Sequence, residues 1–327
     1  MWTRAVNGYC RSRKPGLSDE VGYHRVERVL ITGATSFLGV RTVSKLNEGG
    51  IIPHLVVRPG SDLSRLKDIE NVELHQYDGE ISTLVDALEA AMADVCIHIA
   101  GAYVRDHLAA DIEVLIESNI RFGGQLLEAM KIVGTRRLVH AGSAFQYYES
   151  DIYRPLNLYA ATKQAFVDLV AYYADAEDFD VVSIILPDVY GSRDWRPKIL
   201  NRIVAAHVGQ SVLDMVDEPT VLGLVHVDDA SSALIDAAFQ LISAPKSVSG
   251  GIFGVDQGHR YSLRDVVEMV ADICECSTKI NWGGYPAPRR HISDPWEGSA
   301  LPGWHPKVSL KDGIRELVEC IRRERVE

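Results

Sequence analysis

Short apolar runs alternate with segments of helical periodicity along most of this chain, starting at Arg28. The runs "RVLITGA", "IPHLVVR", "DVCIHIAG" and "RLVHAGS" are almost continuously apolar, and segments such as "ISTLVDALEAAM" between them have helical spacing. Strands that are apolar on both faces are typical of parallel sheets that are covered by helices on each side. The chain is therefore predicted to be an α/β protein with a doubly wound parallel sheet.

The pattern becomes irregular after Pro187. Gly, Pro and Trp gather in "NWGGYPAPRRHISDPWEGSALPGWHP", residues 281–306, and this composition suits a smaller, loop-rich lobe at the carboxyl edge of the sheet. We predict a Rossmann domain and a C-terminal substrate-binding lobe, preceded by a basic, flexible extension. The predicted ranges are 1–26 for the extension, 27–190 with 222–250 for the Rossmann domain, and 191–221 with 251–327 for the lobe.

Composition argues against several classes of protein. Hydrophobic residues make up 46% of the 327 residues and charged residues 24%, as in ordinary globular proteins. The net charge of -11 comes without a long basic run, which argues against a nucleic-acid partner. No apolar run approaches the roughly 18 residues that a membrane span needs, so no membrane contact is predicted. The five scattered cysteines favour a reducing cytoplasm.

The first strand leads into a glycine-rich turn, "TGATSFLG", which precedes a helix. In such a unit the first glycine permits a tight turn, and the last one lets the helix pack closely on the strand. Gly33 and Gly39 take these two roles, while Ser36 stands where a middle glycine is common. Ser36 is small enough for backbone amides to approach a pyrophosphate, and its hydroxyl can donate to phosphate. The turn therefore predicts a dinucleotide site.

The end of the second strand bears on which dinucleotide binds. A carboxylate there bonds the ribose 2′-hydroxyl, whereas an arginine accommodates a 2′-phosphate. The run "LVVRPGS" places Arg58 at this end and supplies no Asp or Glu. NADP(H) is therefore favoured over NAD(H), the alternative being that Arg58 is a solvated charge. Asp78 after the third strand is predicted either to meet the adenine edge or to cap a turn.

The segment "NLYAATKQAF" carries the strongest chemical signal. Tyr159 and Lys163 are four residues apart, so they share one face of a helix. A neighbouring ammonium favours the phenolate, and the pair is therefore predicted to relay a proton beside a hydride carrier. Ser143 ends the preceding strand and is predicted to bond the reacting oxygen.

These motifs together resemble the extended short-chain dehydrogenase/reductase family, in its NAD-dependent epimerase/dehydratase group. The resemblance also includes "LPDVYG", "VHVDDASSAL" and "GWHPKVSLKDGI". It implies a nucleotide-diphosphate sugar as substrate and a homodimer formed through two helices per subunit, one of which carries Tyr159. The predicted cofactor contacts are Gly33, Thr35, Ser36, Phe37, Leu38, Gly39, Arg58, Asp78, Gly79, Ile99, Ala100, Gly101, Tyr159, Lys163, Pro187 and Val189.

Further residues are predicted to contact the substrate, four of them basic. They are Tyr103, Asn119, Ser143, Ala144, Arg196, Lys198, Arg289 and Arg290; guanidinium groups suit the oxygens of a diphosphate. No metal site is predicted, because His226 with Asp228 and Asp229 reads as a strand that leads into a capped helix. His98 is predicted to be packed and hydrogen-bonded near the cofactor.

Small features separate the reactions of the family. The 4,6-dehydratases carry Asp and Glu after the catalytic hydroxyl residue, whereas this chain has Ala144 and Phe145. Arg58 favours a reductase that uses NADPH, and "QYYESDIYRPLNLYAATKQAF" resembles the reductases that make CDP-linked 3,6-dideoxyhexoses. The prediction is therefore reduction of a 4-keto group on a deoxysugar linked to CDP, GDP, dTDP or UDP. A nucleotide-sugar epimerase and a non-catalytic NADP-binding regulator are the alternatives.

Overall fold

The computed structural model describes residues 28–255 and 260–325. The predicted N-terminal extension, residues 1–26, lies outside the described residues. The strands are β1 Val29–Thr32, β2 His54–Val57, β3 Glu73–Gln76, β4 Val95–His98, β5 Arg137–Ser143, β6 Asp180–Leu186, β7 Asp188–Tyr190, β8 Leu213–Met215, β9 Val221–Leu222, β10 Leu224–His226, β11 Ile252–Gly254, β12 Tyr261–Ser262, β13 Ile280–Trp282 and β14 Ser299–Ala300.

Ten α-helices connect these strands in the described residues. They are α1 Phe37–Glu48, α2 Ile81–Ala91, α3 Ile112–Ile116, α4 Phe122–Val133, α5 Leu158–Ala176, α6 Ile199–Gly209, α7 Val227–Ser243, α8 Pro245–Val248, α9 Leu263–Cys274 and α10 Leu310–Glu324. A π-helical turn, Glu117–Arg121, joins α3 to α4, so the two form one continuous rod.

Eight of the strands form one parallel sheet, in the order β14-β11-β6-β5-β4-β1-β2-β3. The chain starts in the middle at β1, moves outward to β3, and then crosses to β4 on the other side. Strands β1 and β4 are buried along their whole length, because helices cover both faces. The prediction of a doubly wound parallel sheet is confirmed.

The two faces of the sheet carry separate apolar cores. Helices α1 and α7 pack together on one face, and the side chains of Val43, Val139 and Leu234 are fully buried there. Helices α2, α4 and α5 cover the other face, where Leu126 and Phe166 are buried. Burial of one such side chain stabilises the fold by roughly 1.5–3 kcal/mol.

A third core belongs to the smaller lobe. Helices α6, α9 and α10 pack on one another and bury a set that includes Ile203, Val266 and Ile314. Three two-stranded pairings, β7 with β10, β8 with β13, and β9 with β12, lie beside these helices. A loop-rich lobe was expected, but its core is mainly helical.

The predicted boundary at residue 250 needs a correction. Strand β11 pairs with β6, and β14 pairs with β11, so two segments from the predicted lobe extend the central sheet. The reason is that the strand β6 has a free edge, which these short segments cover. No helix among residues 28–255 and 260–325 is long and apolar enough to cross a membrane.

Candidate active site

The turn after β1 depends on both of its predicted glycines. Gly33 adopts a φ of +75°, and a Cβ added to it would lie 2.6 Å from the backbone nitrogen of Ala100. A Cβ on Gly39 would lie 2.0 Å from the carbonyl oxygen of Gly33. The first glycine therefore permits the turn, and the second permits the close packing of α1 against it.

Ser36 is the N-cap of α1 in this turn. Its Oγ accepts a hydrogen bond from the Gly39 nitrogen at 3.0 Å, so the hydroxyl proton can still be donated to an incoming phosphate oxygen. The side chains of Phe37 and Leu38 are buried in the core. These two residues can therefore contribute only the backbone N–H groups at the start of α1, which is where anions bind helices.

A cavity of about 530 Å³ opens at the carboxyl ends of β1, β2 and β4. Nine of the predicted cofactor residues line it, namely Gly33, Thr35, Ser36, Arg58, Asp78, Gly79, Ile99, Ala100 and Gly101. Phe37, Leu38 and Gly39 lie behind the turn. Pro187 and Val189 do not line this cavity: Pro187 directly follows β6, and Val189 lies in β7. The cavity thus gathers most, but not all, of the predicted contacts.

One corner of the cavity, at the end of β2, carries two arginines, and the Arg65 guanidinium is paired with Asp62 at 3.0 Å. The corner is lined by Arg58, Ser61 and Arg65. The Arg65 guanidinium donates to the carbonyl oxygen of Thr35 at 3.1 Å, which ties this corner to the glycine-rich turn. Sequence reasoning missed Arg65, although a second arginine seven residues after Arg58 was a usable signal. We call Arg58, Ser61 and Arg65 the ribose corner.

The carboxylates that line the cavity are already engaged. Asp78 Oδ1 accepts from the Glu80 nitrogen at 3.0 Å, so Asp78 caps the turn before α2. Glu117 forms an ion pair with Arg121 at 2.7 Å. The cavity therefore offers arginines and the backbone amides of α1 to an anion, while its carboxylates are engaged elsewhere. Such a site fits the phosphates of a dinucleotide.

Ser143 and Tyr159 are joined by a hydrogen bond, and Lys163 lies close to Gly101, which lines the cavity. Ser143 is the last residue of β5, and its Oγ accepts from the Phe145 nitrogen at 3.3 Å. Tyr159 and Lys163 lie one helical turn apart on α5, whose N-cap Asn157 accepts from the Ala160 nitrogen at 3.0 Å. The cap fixes where the helix begins, and thereby which face carries the tyrosine.

Burial controls the protonation of this group. It raises the pKa of Tyr159 to about 12, against the opposing effect of a hydrogen bond with Ser143. Burial also lowers the pKa of Lys163 to about 8. The tyrosine in the free protein is thus a protonated phenol at neutral pH, because loss of water around the hydroxyl disfavours its charged form.

Asn119 has a different role from the predicted one. Its Oδ1 accepts from the Ala102 nitrogen at 2.8 Å, and its Nδ2 donates to the Ala102 oxygen and to Thr162 Oγ1 at 3.0 and 2.8 Å. The carboxamide is therefore engaged within the protein and joins the loop after β4 to α5. Asn119 therefore positions helix α5, and the π-helical turn directs the Asn119 side chain toward that helix.

The four basic residues predicted for the diphosphate fall into two groups. Arg196 binds both carboxylate oxygens of Asp194, at 2.7 and 2.8 Å, and Lys198 Nζ lies 2.7 Å from Asp188 Oδ1. Both cations are therefore compensated by the protein. Arg289 and Arg290 are exposed, and Arg290 donates to the carbonyl oxygen of Pro155, which places it beside the loop after β5.

Two of the predicted substrate contacts adjoin the catalytic tyrosine and serine. The Tyr103 ring meets the Tyr159 ring edge-on, with centroids 4.9 Å apart. Ala144 begins the 3-10 turn directly after Ser143. A sugar ring placed against the Tyr159 hydroxyl would therefore meet both residues.

The histidines have structural surroundings. His98 is buried, and its Nδ1 lies 2.7 Å from Thr32 Oγ1; burial lowers its pKa to about 3. This matches the packed, hydrogen-bonded role predicted for it. His226 caps α7 by accepting from the Asp228 nitrogen at 3.3 Å. Asp229 accepts hydrogen bonds from the backbone nitrogens of Lys307 and Val308. These bonds join the motif "VHVDDASSAL" to the distant motif "GWHPKVSLKDGI".

A doubly wound sheet, a glycine-rich first turn and a Ser, Tyr and Lys set in one cleft define an extended short-chain dehydrogenase/reductase. The chain matches the model of the NAD-dependent epimerase/dehydratase family over residues 29–250. It belongs to this family.

Several characterised relatives span nearly the whole chain. The CDP-abequose synthase of Salmonella muenchen is 24% identical over 301 residues, which cover 89% of this chain and 97% of that protein. The UDP-glucose 4-epimerase of Mycolicibacterium smegmatis is 24% identical over 319 residues, which cover 91% and 99%. The synthase and the epimerase are thus equally similar to this chain by identity.

Solved structures show the same fold. The UDP-glucose 4-epimerase of Thermus thermophilus, in complex with NAD, matches with a TM-score of 0.74 at 23% identity, and the match covers 90% of this chain and 99% of that one. At this level of identity the likeness concerns the fold alone.

Proposed function

We propose that this protein uses NADPH to reduce the 4-keto group of a nucleotide-diphosphate-linked 4-keto-6-deoxyhexose, or of its 3,6-dideoxy counterpart. The observation that carries the proposal is the ribose corner. Arg58 and Arg65 line it together with Ser61, and these donors suit a 2′-phosphate better than a bare 2′-hydroxyl. A site selective for NADPH favours a reductase, because an epimerase returns its hydride and needs no external reductant.

The chain is as similar to a UDP-glucose 4-epimerase as to a CDP-abequose synthase, at 24% identity in each case, so it is the ribose corner that favours the reductase. The residues after Ser143 support it as well. Ala144 and Phe145 offer no acid or base for the removal of water, so the reaction is not proposed to be a dehydration.

The residues of the cleft have distinct roles in the proposed reaction. NADPH, when it is bound, supplies the hydride that reduces C4. Tyr159 donates its proton to the oxygen of that carbon, and Ser143 holds the same oxygen by a hydrogen bond. Lys163 holds the nicotinamide ribose and favours the phenolate that remains. The raised pKa of Tyr159, which is due to burial, keeps the phenol protonated until the alkoxide forms.

The remaining contacts are proposed for the nucleotide sugar. Tyr103 and Ala144 are placed beside the hexose, and the exposed Arg289 and Arg290 are placed at the diphosphate. Arg290 is the better anchor of the two, since its bond to the Pro155 oxygen already holds it next to the loop after β5.

The decisive experiment follows the absorbance of NADPH, and separately of NADH, as the protein meets 4-keto-6-deoxyhexoses linked to CDP, GDP, dTDP and UDP. Oxidation with one nucleotide, faster with NADPH, is expected. Tyr159→Phe serves as the control for contaminating reductases. Silence across the panel, with tightly bound cofactor and interconversion of sugar nucleotides, would instead establish an epimerase.

An epimerase is the second candidate, favoured by the equal similarity to the Mycolicibacterium smegmatis enzyme. A non-catalytic NADP-binding regulator is the third. The same experiment separates them, because a regulator binds NADPH without oxidising it for any ketosugar and leaves every nucleotide sugar unchanged.

A homodimer is proposed as the assembly. The rod α3–α4 and helix α5 carry exposed apolar side chains, among them Ile112, Ile116 and Tyr172, and contiguous exposed apolar surface marks interaction sites. Light scattering of the purified protein tests this: a mass of two chains is expected, and introducing a charge with Tyr172→Asp should shift it toward one.

A further inference from the structure

Three polar side chains from different elements form a chain of contacts that ends at Tyr159. Tyr103 follows β4, Asp188 begins β7, and Lys198 is the N-cap of α6. The Tyr103 and Tyr159 rings touch edge-on with centroids 4.9 Å apart. Lys198 Nζ lies 4.5 Å from the centroid of the Tyr103 ring and 2.7 Å from Asp188 Oδ1. We call Tyr103, Asp188 and Lys198 the tyrosine flank.

The carboxylate of the tyrosine flank is an unusual neighbour for a proton donor. A negative charge near a phenol opposes loss of its proton, and Asp188 does raise the pKa of Tyr159. The side chain of Asp188 is only 25% exposed and that of Lys198 only 21%. Water therefore screens these charges less than it screens charges on the open surface.

Other charged and polar groups also face Tyr159. Ser143 approaches from β5, and Lys163 lies one turn along α5. Arg196 lowers the pKa of Tyr159, but its guanidinium is held by both oxygens of Asp194, whose side chain is fully buried. Asp188, by contrast, is neutralised by Lys198 at the end of a flexible side chain, and neither side chain is fully buried.

We propose that Lys198 is a positioning residue for the proton transfer: as the counter-ion of Asp188, packed over Tyr103, it cancels the charge that would otherwise hold the proton on Tyr159. The proposal rests on the proposed function only in taking Tyr159 as the proton donor. It applies to a reductase and to an epimerase alike. It gives Lys198 a role other than binding the diphosphate of the substrate.

The first test titrates the tyrosine itself and needs no sugar. The ultraviolet absorbance of tyrosinate is followed against pH in the presence of saturating NADP+, and the curve of Tyr159→Phe is subtracted. Lys198→Gln leaves Asp188 unpaired and should raise the midpoint by about one pH unit; Asp188→Asn leaves the ammonium unpaired and should lower it by about as much. The double variant should return close to the wild-type midpoint.

A matched control uses the ion pair of Lys131 with Glu177 near the end of α5. Its length of 2.8 Å is close to the 2.7 Å of the Lys198–Asp188 pair. Lys131→Gln removes a comparable pair remote from Tyr159 and should leave the midpoint unchanged. Thermal unfolding of each variant identifies any loss of fold. Equal midpoints in all variants would overturn the proposal. It would also be overturned if Tyr159 did not ionise at a lower pH in Asp188→Asn than in the wild-type protein.

The second test separates this proposal from the proposed function. If one of the ketosugars is reduced, the pH dependence of kcat should move in the same order as the titration, with KM for the sugar nucleotide unchanged. A higher KM with an unmoved pH profile in Lys198→Gln would assign the lysine to the diphosphate and overturn the proposal. If no ketosugar is reduced, the proposed function fails while the titration still decides the role of Lys198.

Discussion

The guanidinium carbon of Arg65 lies 3.9 Å from the centroid of the Trp195 ring. Arg65 belongs to the ribose corner, whereas Trp195 belongs to the loop between β7 and α6, so this contact joins the cofactor cavity to the smaller lobe. Trp195 also meets the Phe37 ring edge-on, with centroids 6.0 Å apart. The stack therefore holds Arg65 beside the start of α1, and we expect it to keep the ribose corner in place around a bound cofactor.

Loss of this stack should speed the release of the cofactor. A cation–π contact of this kind contributes about 0.5–2 kcal/mol, so Trp195→Ala should raise the dissociation rate of NADPH about threefold to tenfold. The rate is measured by displacement of fluorescent NADPH in a stopped-flow instrument. Trp282→Ala is the matched control, because it removes an Arg264–Trp282 contact of similar length, 4.0 Å, in the lobe. Equal rates in both variants would show that the stack plays no part.

Replacement of the catalytic phenol should abolish turnover and spare binding. Tyr159→Phe keeps the ring that packs on Tyr103 but removes the proton, so kcat should fall about a hundredfold to ten-thousandfold. The dissociation constant for NADPH should change little. Tyr172→Phe, on the same helix but exposed, should behave as the wild-type protein. Retained turnover in Tyr159→Phe would remove the tyrosine from the mechanism.

The ribose corner should determine the choice of cofactor. Arg58→Ala removes a charged donor, and hydrogen bonds to charged groups contribute about 1.5–3 kcal/mol. The affinity for NADPH should therefore fall about tenfold to a hundredfold, with the affinity for NADH nearly unchanged. Calorimetric titration with each nucleotide measures this. Arg323→Ala on the exposed face of α10 is the control, and an equal loss for both nucleotides would contradict a 2′-phosphate site.

Burial of Lys163 should make stability depend on pH in a definite direction. Burial lowers the pKa of Lys163 in the folded protein to about 8, whereas a lysine in water has a pKa of 10.5. Below pH 8 both states are charged, and the folded state bears the full cost of the buried ammonium. As pH rises from 8 toward 10.5, the unfolded state holds more protons, so the free energy of unfolding rises.

The neutral variant Lys163→Met isolates this effect. It should exceed the wild-type protein in free energy of unfolding at pH 7, and the advantage should shrink by roughly 2–3 kcal/mol as pH approaches 10.5. Denaturant unfolding of the cofactor-free proteins at several pH values gives the difference directly. Lys131→Met, at a half-buried ion pair away from Lys163, should show no such trend. A constant difference between Lys163→Met and the wild-type protein would mean that Lys163 has the same pKa in the folded and the unfolded state.

The sequence was most informative where local pattern sets the structure. Apolar runs predicted the central strands, and the glycines at 33 and 39 predicted the turn because backbone geometry there admits no side chain. The helical spacing of Tyr159 and Lys163 predicted their common face. Each of these features depends on residues that are close together in the chain.

Side-chain pairing between distant segments could not be predicted in the same way. Asn119 looked available for a substrate, yet its carboxamide is occupied by Ala102 and Thr162. Lys198 looked available for a diphosphate, yet it is paired with Asp188. A basic or amide residue in a sequence does not reveal its partner, because the partner is chosen by the fold.

The late position of β14 in the chain has a consequence for biosynthesis. The central sheet begins with Val29, but its outermost strand consists of Ser299 and Ala300, and it pairs with β11 at the edge of the sheet. Folding during translation proceeds from the N-terminus, so a nascent chain exposes the edge of β11 until Ser299 and Ala300 have left the ribosome. A message truncated shortly before codon 299 would therefore release a protein with its turn and its catalytic tyrosine in place but an unprotected strand, which is a template for aggregation.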